Sequence, residues 1–80
     1  MATIYFSSGV SQFTGGVESM TVDASRVQDL LKAVIERFPA LAEPLPLMSV
    51  AVDGEIHLNP DYLRLTEKSE VHLVPRIAGG

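Results

Sequence analysis

One amphipathic helix constrains the fold more than any other feature of this sequence. From about residue 26 to residue 37 or 38, apolar side chains recur at helical spacing, and polar side chains fill the opposite side. The apolar stripe consists of Val27, Leu30, Leu31, Val34, Ile35 and Phe38. Ser25, followed three positions later by Gln28, predicts a capping box, and Pro39 ends the helix. A stripe this wide is expected to cover one face of a sheet.

Short segments of alternating apolar and polar residues flank the helix and predict strands. The predicted strands cover residues 2–8, 18–23, 48–52, 55–58 and 70–75. Between the first two lies a polar loop, residues 9–16, which Val10 and Phe13 are expected to attach to the core. The order β-β-α-β-β-β predicts an α+β domain in which the helix packs across a single sheet.

The third and fourth strands are predicted to form a hairpin around Asp53-Gly54, a type I′ turn signal. In a two-residue hairpin, Val50 and Val52 cannot share a face with Ile56 and Leu58. Either a bulge shifts the register, or apolar side chains occupy both faces of the hairpin. We favour the second arrangement, which leaves an apolar patch on the outer face of the sheet.

An exposed apolar patch on a small protein usually marks an interaction site. In the first strand, the alternation places Ile4 and Phe6 toward the core and Tyr5 outward. The candidate partner-binding residues of the outer face are Tyr5, Val74, Val50 and Val52. For Tyr5 alone, an ordinary surface tyrosine is the competing interpretation.

Composition narrows the possible functions. The net charge of −4, with its six lysines and arginines dispersed along the chain, argues against nucleic-acid binding. No apolar run reaches the roughly 18 residues of a membrane span. The chain has no cysteine, and His57 and His72 have no nearby ligand set, so we expect no metal site. These features favour a cytoplasmic protein without a membrane or nucleic-acid partner.

The chain ends in two glycines, which is an unusual chemical feature. After the last strand, residues 76–80 are expected to form a flexible tail on a folded domain of residues 1–75. Glycine has no Cβ, so Gly79 and Gly80 can enter a channel too narrow for other residues. The terminal carboxylate of Gly80 is then available for modification. A frayed end without function is the competing interpretation.

Several segments, taken in order, point to a known family. They are Ile4-Tyr5-Phe6, the loop with Val10, Phe13 and Gly15, the helix, Val52-Asp53-Gly54, Leu65 to Val71, and Val71 to Gly80. This ordered set resembles the ubiquitin-like β-grasp proteins, in particular the MoaD/ThiS sulfur carriers, and among those the small subunit of molybdopterin synthase. Lys68 stands where the family usually has a turn glycine, and Arg76 replaces the second proline of the family's tail.

The resemblance implies a β-grasp fold with a mixed sheet of four to five strands on one main helix. It also implies that an E1-like adenylyltransferase uses ATP and Mg²⁺ to adenylate Gly80, which a persulfide sulfur converts to a thiocarboxylate. Gly79 then supplies clearance, and the tail residues Pro75, Arg76, Ile77 and Ala78 hold the end extended. The chain itself is expected to be a cosubstrate with no bound cofactor and no catalysis of its own.

The sulfur acceptor stays open at this point. The resemblance favours the large subunit of molybdopterin synthase as partner, with another sulfur-accepting synthase for thiamine, cysteine or transfer RNA as the alternative. A ubiquitin-like modifier conjugated to lysines through Gly80 is a second possibility. A non-covalent β-grasp interaction domain with an inert tail is a third. A stand-alone enzyme is the least expected, because no acid, base, nucleophile and metal constellation is visible.

Overall fold

Across residues 1–57 and 59–75, the part of the chain that the computed structural model describes, five strands form one mixed sheet under one main helix. The strands are β1 (Ala2–Phe6), β2 (Ser19–Val22), β3 (Met48–Val52), β4 (Glu55–His57) and β5 (Glu70–Pro75). They lie in the order β2-β1-β5-β3-β4, with β1 and β5 parallel and the other neighbours antiparallel. This confirms the predicted α+β architecture.

The helices are α1 (Ser8–Ser11) and α2 (Val27–Arg37). Three short 3₁₀ turns, Pro39–Leu41, Leu45–Leu47 and Pro60–Tyr62, lie in the connections. None of the helices in the described residues is long and apolar enough to cross a bilayer.

The core lies between α2 and the sheet face beneath it. The predicted stripe of α2 is buried at Val27, Leu30, Leu31 and Val34. It faces the inward side chains of the central strands, Ile4, Phe6, Val71 and Leu73, which are also buried. Burial of this apolar surface is the main favourable contribution to folding.

The first strand is shorter than predicted because the chain turns at Ser7. The backbone N–H groups of Val10 and Ser11 both donate to the Ser7 carbonyl oxygen, at 2.9 Å each, and this starts α1 where a strand end and loop were expected. The turn carries Val10 into the core, where it is fully buried, and Phe13 packs against the same cluster. The two predicted attachments of the loop are therefore confirmed.

The capping box predicted at Ser25 is wrong. Arg26, in extended conformation, is the N-cap of α2, and its side chain makes no capping hydrogen bond. The segment before the helix is held straight by a bridge to Arg64, and the Val27 N–H donates to the Leu63 carbonyl oxygen at 3.0 Å. The Leu63 backbone carbonyl thus accepts a hydrogen bond from an N–H group in the first turn of α2, the role expected of the Ser25 hydroxyl.

The β3–β4 hairpin has the predicted turn and register. Asp53 and Gly54 have φ values of 50° and 88°, as a type I′ turn requires. Val50 pairs with His57 and Ala51 with Ile56, with no bulge. Apolar side chains therefore occupy both faces, as favoured from the sequence; Leu58 lies outside the described residues.

The assignment of Val50 and Val52 to the outer face is wrong. They are only 5% and 8% exposed, whereas Ile56 is 67% exposed. The reason is the neighbouring strand: Val50 pairs with Leu73 and Val52 with Val71, both of which point at α2. Paired residues lie on the same face of a sheet, so β5 fixes which side of β3 is buried.

Lys68 fits its turn without the family's glycine. Among the described non-glycine residues, Asp53 has the only positive φ, so Lys68 avoids the left-handed region. The turn is closed by the Ser69 N–H, which donates to the Thr66 carbonyl oxygen at 3.1 Å. In return the Thr66 N–H donates to Ser69 Oγ at 2.8 Å.

Candidate functional site

The predicted site has two parts, the C-terminal tail and the outer sheet face. Five of the predicted tail residues, Arg76, Ile77, Ala78, Gly79 and Gly80, lie outside the described residues. Pro75 closes β5 and is exposed, directly before the tail.

One row of side chains crosses the outer face, on the side away from α2. The register brings together, from edge to edge, Ser19, Tyr5, His72, Ala51 and Ile56. Val74 lies two residues after His72 on β5 and therefore faces the same way. We call Tyr5, Ala51, Ile56, His72 and Val74 the outer-face patch.

The middle of the outer-face patch is a stacked pair of rings. The ring centroids of Tyr5 and His72 are 4.8 Å apart, with an angle of 18° between the ring planes. Tyr5 is 36% exposed and His72 is half-buried. Offset or stacked rings stabilise one another modestly, and here they hold a flat, partly apolar surface in the centre of the sheet.

A polar border lies beside the outer-face patch. The next outward row consists of Thr21, Thr3 and Glu70, which occupy paired positions on β2, β1 and β5. An apolar centre with a polar border is the usual anatomy of a protein–protein interface. The exposed Ile56 at the β4 edge extends the apolar area away from this border.

The outer-face patch continues to the point where the tail begins. Val74 belongs to the patch, and Pro75 follows it as the last residue of β5. Pro75 pairs with Met48 at the start of β3, so β5 remains in the sheet up to its last residue. A partner that covers the patch would therefore lie next to the base of the tail.

The acidic and histidine side chains of the described residues do not form a cluster suited to a metal ion. Among residues 1–57 and 59–75, no three histidine, aspartate or glutamate side chains lie close enough together to hold a metal ion. His57 Nε2 lies 4.0 Å from a carboxylate oxygen of Glu55, an exposed pair of little energetic weight.

Sequence reasoning placed two members of the outer-face patch correctly, Tyr5 and Val74, and missed three. Placing Val50 and Val52 outward puts Ile56 on the wrong face. The alternation in β5 places His72 on the same side as Val74, but the residue pattern alone does not show that Tyr5 lies opposite His72. The hairpin register, which the sequence does predict, could have identified Ala51 once Ile56 was placed outward.

The chain matches no protein-family model and no curated protein sequence. Solved structures do match it. Small archaeal modifier protein 1 from Methanosarcina acetivorans has a TM-score of 0.85 at 16% identity, over 99% of this chain and 95% of that chain. A chain of the Amycolatopsis orientalis BexX/CysO complex has a TM-score of 0.81 at 18% identity, over 100% of both chains.

A third similar structure comes from the complex of subunits 1 and 2 of molybdopterin-converting factor from Helicobacter pylori, with a TM-score of 0.72 at 19% identity. It covers 99% of this chain and 97% of that chain. Near-complete coverage of both chains in each comparison shows that the similarity extends over the whole domain. The resemblance stated from the sequence is thus confirmed in the fold, and the chain has the ubiquitin-like β-grasp fold.

Proposed function

We propose that this chain is a sulfur-carrier protein whose Gly80 carboxylate is activated by a partner enzyme. One observation carries the proposal: the outer-face patch and the base of the tail adjoin on β5, at Val74 and Pro75. A partner docked on the sheet can therefore receive the chain end in the same encounter. The shared fold with a modifier protein and with a molybdopterin-converting factor complex supports it.

The chemistry needs activation because a carboxylate is a poor electrophile. In the proposed reaction, a Gly80 carboxylate oxygen attacks the α-phosphorus of Mg²⁺-bound ATP and releases pyrophosphate. A persulfide on the partner side then attacks the acyl carbon, and AMP leaves. Attack of a second thiol on the resulting acyl disulfide releases the Gly80 thiocarboxylate. Nothing in this sequence of steps requires a catalytic group from this chain, which acts as a cosubstrate in the cytoplasm.

For the sulfur acceptor, we propose a molybdopterin-synthase-type large subunit. The outer-face patch gives such a partner an apolar surface with a polar border, and the tail can extend from its edge into a neighbouring active site. Binding by a folded domain positions the thiocarboxylate at high effective concentration, which favours transfer. Synthases for thiamine, cysteine or transfer-RNA thiolation are the alternative acceptors.

A protein modifier is the second candidate. The likeness to small archaeal modifier protein 1, at a TM-score of 0.85, favours it. In this case the activated Gly80 acyl group passes to a lysine ε-amine of another protein, and an isopeptide bond forms. Both candidates share the adenylation step, so they differ only in the nucleophile that accepts the acyl group.

Intact-protein mass spectrometry tests the proposal. The chain is incubated with the E1-like adenylyltransferases of the organism that makes it, ATP, Mg²⁺ and a persulfide donor. We expect a mass gain equal to the replacement of one oxygen by sulfur, absent from a chain lacking Gly79 and Gly80. Lysine conjugates in the source cells, without any thiocarboxylate, would favour the modifier. If no adenylyltransferase modifies the chain, the carrier proposal is wrong.

A further inference from the structure

The short helix α1 takes over from β1 as the neighbour of β5 near the tail. The last paired residues of the two parallel strands are Phe6 and Leu73, and the Ser7 N–H donates to the Leu73 carbonyl oxygen at 3.3 Å. The chain then turns into α1, while β5 continues for two more residues to Pro75. The end of β5 therefore has β3 on one side and α1 on the other.

Gly9, the second residue of α1, packs directly against the Pro75 ring. A methyl group placed on the Gly9 Cα would lie 2.7 Å from Pro75 Cγ and 3.6 Å from Cδ. Non-bonded carbons normally stay about 3.5–4 Å apart, so even alanine cannot fit unless one of the two segments moves. Because Gly9 lies within α1, it is the close approach, and no left-handed backbone, that calls for glycine here.

The other described glycines show that this contact is specific. Gly15, Gly16 and Gly54 have positive φ values, and a methyl group on any of them would meet nothing within 4 Å. Those glycines serve turns. Gly9 alone among these four is required by the space that Pro75 occupies.

Pro75 cannot yield easily to a larger neighbour. Its ring fixes the backbone φ angle, so Cγ and Cδ can move away only by a change of ring pucker or by a displacement of the backbone. On the β3 side it lies beside Met48. On the α1 side the helix is anchored by the buried Val10 and by the backbone hydrogen bonds to the Ser7 carbonyl oxygen. A side chain at Gly9 would therefore push the last residue of β5, and with it the start of the tail.

We propose that Gly9 is a positioning residue for the activation of Gly80, which rests on the proposed function. By admitting the Pro75 ring against α1, it fixes the position of the last residue of β5, where the tail begins. A partner bound to the outer-face patch receives the reacting carboxylate efficiently only if Pro75 keeps this position. Among the described residues, a side chain at Gly9 would meet Pro75, so we expect its effect to pass through Pro75.

The Gly9→Ala variant tests this role in an ATP–pyrophosphate exchange assay with the E1-like adenylyltransferase. We expect kcat for Gly80 adenylation to fall about tenfold, because a displaced Pro75 lowers the fraction of docked complexes in which the Gly80 carboxylate reaches the adenylation site. The KM for the carrier chain should stay within about twofold of the wild-type value, because the outer-face patch is unchanged. Ser8→Ala, an exposed substitution in the same helix, is the matched control and should leave both constants unchanged.

A double variant separates positioning from general damage. Pro75→Ala removes Cγ and Cδ and leaves only Cβ, which lies 3.9 Å from a Gly9 methyl group and makes an ordinary contact. In the Pro75→Ala background, Gly9→Ala should therefore cause no further loss of kcat. An equal loss in both backgrounds would overturn the proposal, as would wild-type kcat in Gly9→Ala itself.

NMR spectroscopy of the same variants decides the inference independently of any enzyme. In the wild-type chain we expect a nuclear Overhauser effect between Gly9 Hα and the Pro75 ring protons. Gly9→Ala should shift the Arg76 and Ile77 amide signals in the wild-type background but not in Pro75→Ala. Absence of these effects overturns the inference. A wild-type chain that shows them but is never adenylated contradicts the proposed function instead, while the contact between Gly9 and Pro75 stands.

Discussion

Tyr5 and Val50 lie on opposite faces of the sheet, so truncating them should have different consequences. Tyr5 is 36% exposed and stacks on His72, whereas Val50 is 5% exposed beneath α2. We expect Tyr5→Ala to lower the free energy of unfolding by about 1 kcal/mol or less, mainly through the lost ring stacking. Val50→Ala should lower it by roughly 2 kcal/mol, because it removes two buried carbon atoms and leaves a cavity in the core. Urea denaturation measures both.

For partner binding, we expect Tyr5→Ala to have a larger effect than Val50→Ala, the reverse of their order in stability. In the adenylation assay, Tyr5→Ala should raise KM about tenfold, since central aromatic residues contribute strongly to interfaces. Val50→Ala should leave KM nearly unchanged under conditions in which the variant is folded. A KM effect of Val50→Ala as large as that of Tyr5→Ala would show that the partner binds elsewhere, because Val50 does not reach the outer face.

These two residues also show what the alternation of a strand can predict. The alternation in Ile4-Tyr5-Phe6 separates the two faces of β1. It also identifies the buried face, because the two large apolar residues Ile4 and Phe6 lie on the same side. In β3 the same pattern separates Val50 and Val52 from Ala51 but does not show which side meets α2. That choice depends on β5, which lies some twenty residues later in the chain.

At the level of the elements, Asp53 connects the β3–β4 turn to the start of β5. Its N–H donates to the Glu70 carbonyl oxygen at 2.8 Å, and the Glu70 N–H donates to Asp53 Oδ1 at 2.9 Å. With φ at 50°, Asp53 also occupies a conformation that aspartate and asparagine tolerate better than most residues. The backbone and the side chain of Asp53 thus both connect the turn to the first residue of β5.

Substitutions of Asp53 separate these contributions. Asp53→Ala removes the acceptor and places alanine in a left-handed conformation, so we expect the free energy of unfolding to fall by about 1–2 kcal/mol. Asp53→Asn keeps an acceptor oxygen and tolerates the same φ, so it should cost roughly 0.5 kcal/mol or less. Urea denaturation at one pH measures both variants. Equal losses in the two variants would mean that the carboxylate charge, rather than the hydrogen bond, matters.

The elements that the sequence predicted well are those in which apolar residues recur with a clear period. The stripe of α2 and the alternation in β1 and β5 follow directly from burial on one face. The helix α1 has only four residues, too few to show a period, and is specified by hydrogen bonds to the Ser7 carbonyl. The start of α2 was misjudged for a similar reason, because its cap comes from Leu63, a residue far along the chain.

For the whole molecule, the order of elements alone left several sheet arrangements open, and only the resemblance to β-grasp proteins selected one of them. Parallel pairing of β1 and β5 brings the two ends of the domain into the centre of the sheet. It also creates the Tyr5–His72 pair and places α1 against Pro75. The tail was visible in the sequence, but its surroundings depend on this non-local pairing.

The division between a docking domain and a reactive tail leads to the last prediction. A chain lacking Gly79 and Gly80 keeps the outer-face patch and every contact described for residues 1–57 and 59–75. Its free energy of unfolding should therefore stay within about 0.5 kcal/mol of the wild-type value. It cannot be adenylated at the normal position, because the reacting carboxylate is absent. It should therefore be a competitive inhibitor of adenylation of the wild-type chain. If the wild-type chain dissociates from the enzyme faster than it is adenylated, the inhibition constant should lie within about threefold of the wild-type KM.

Tyr5→Ala introduced into the shortened chain is the matched control for this competition. It should weaken inhibition by the same factor by which it raises KM in the full-length chain, because both quantities then report docking on the outer-face patch. Steady-state inhibition kinetics with the shortened chain as inhibitor measure the effect. If the shortened chain does not inhibit at all, the tail supplies most of the binding energy, and the sheet face is not the docking surface. If it inhibits equally well with and without Tyr5, the enzyme binds a different face of the domain.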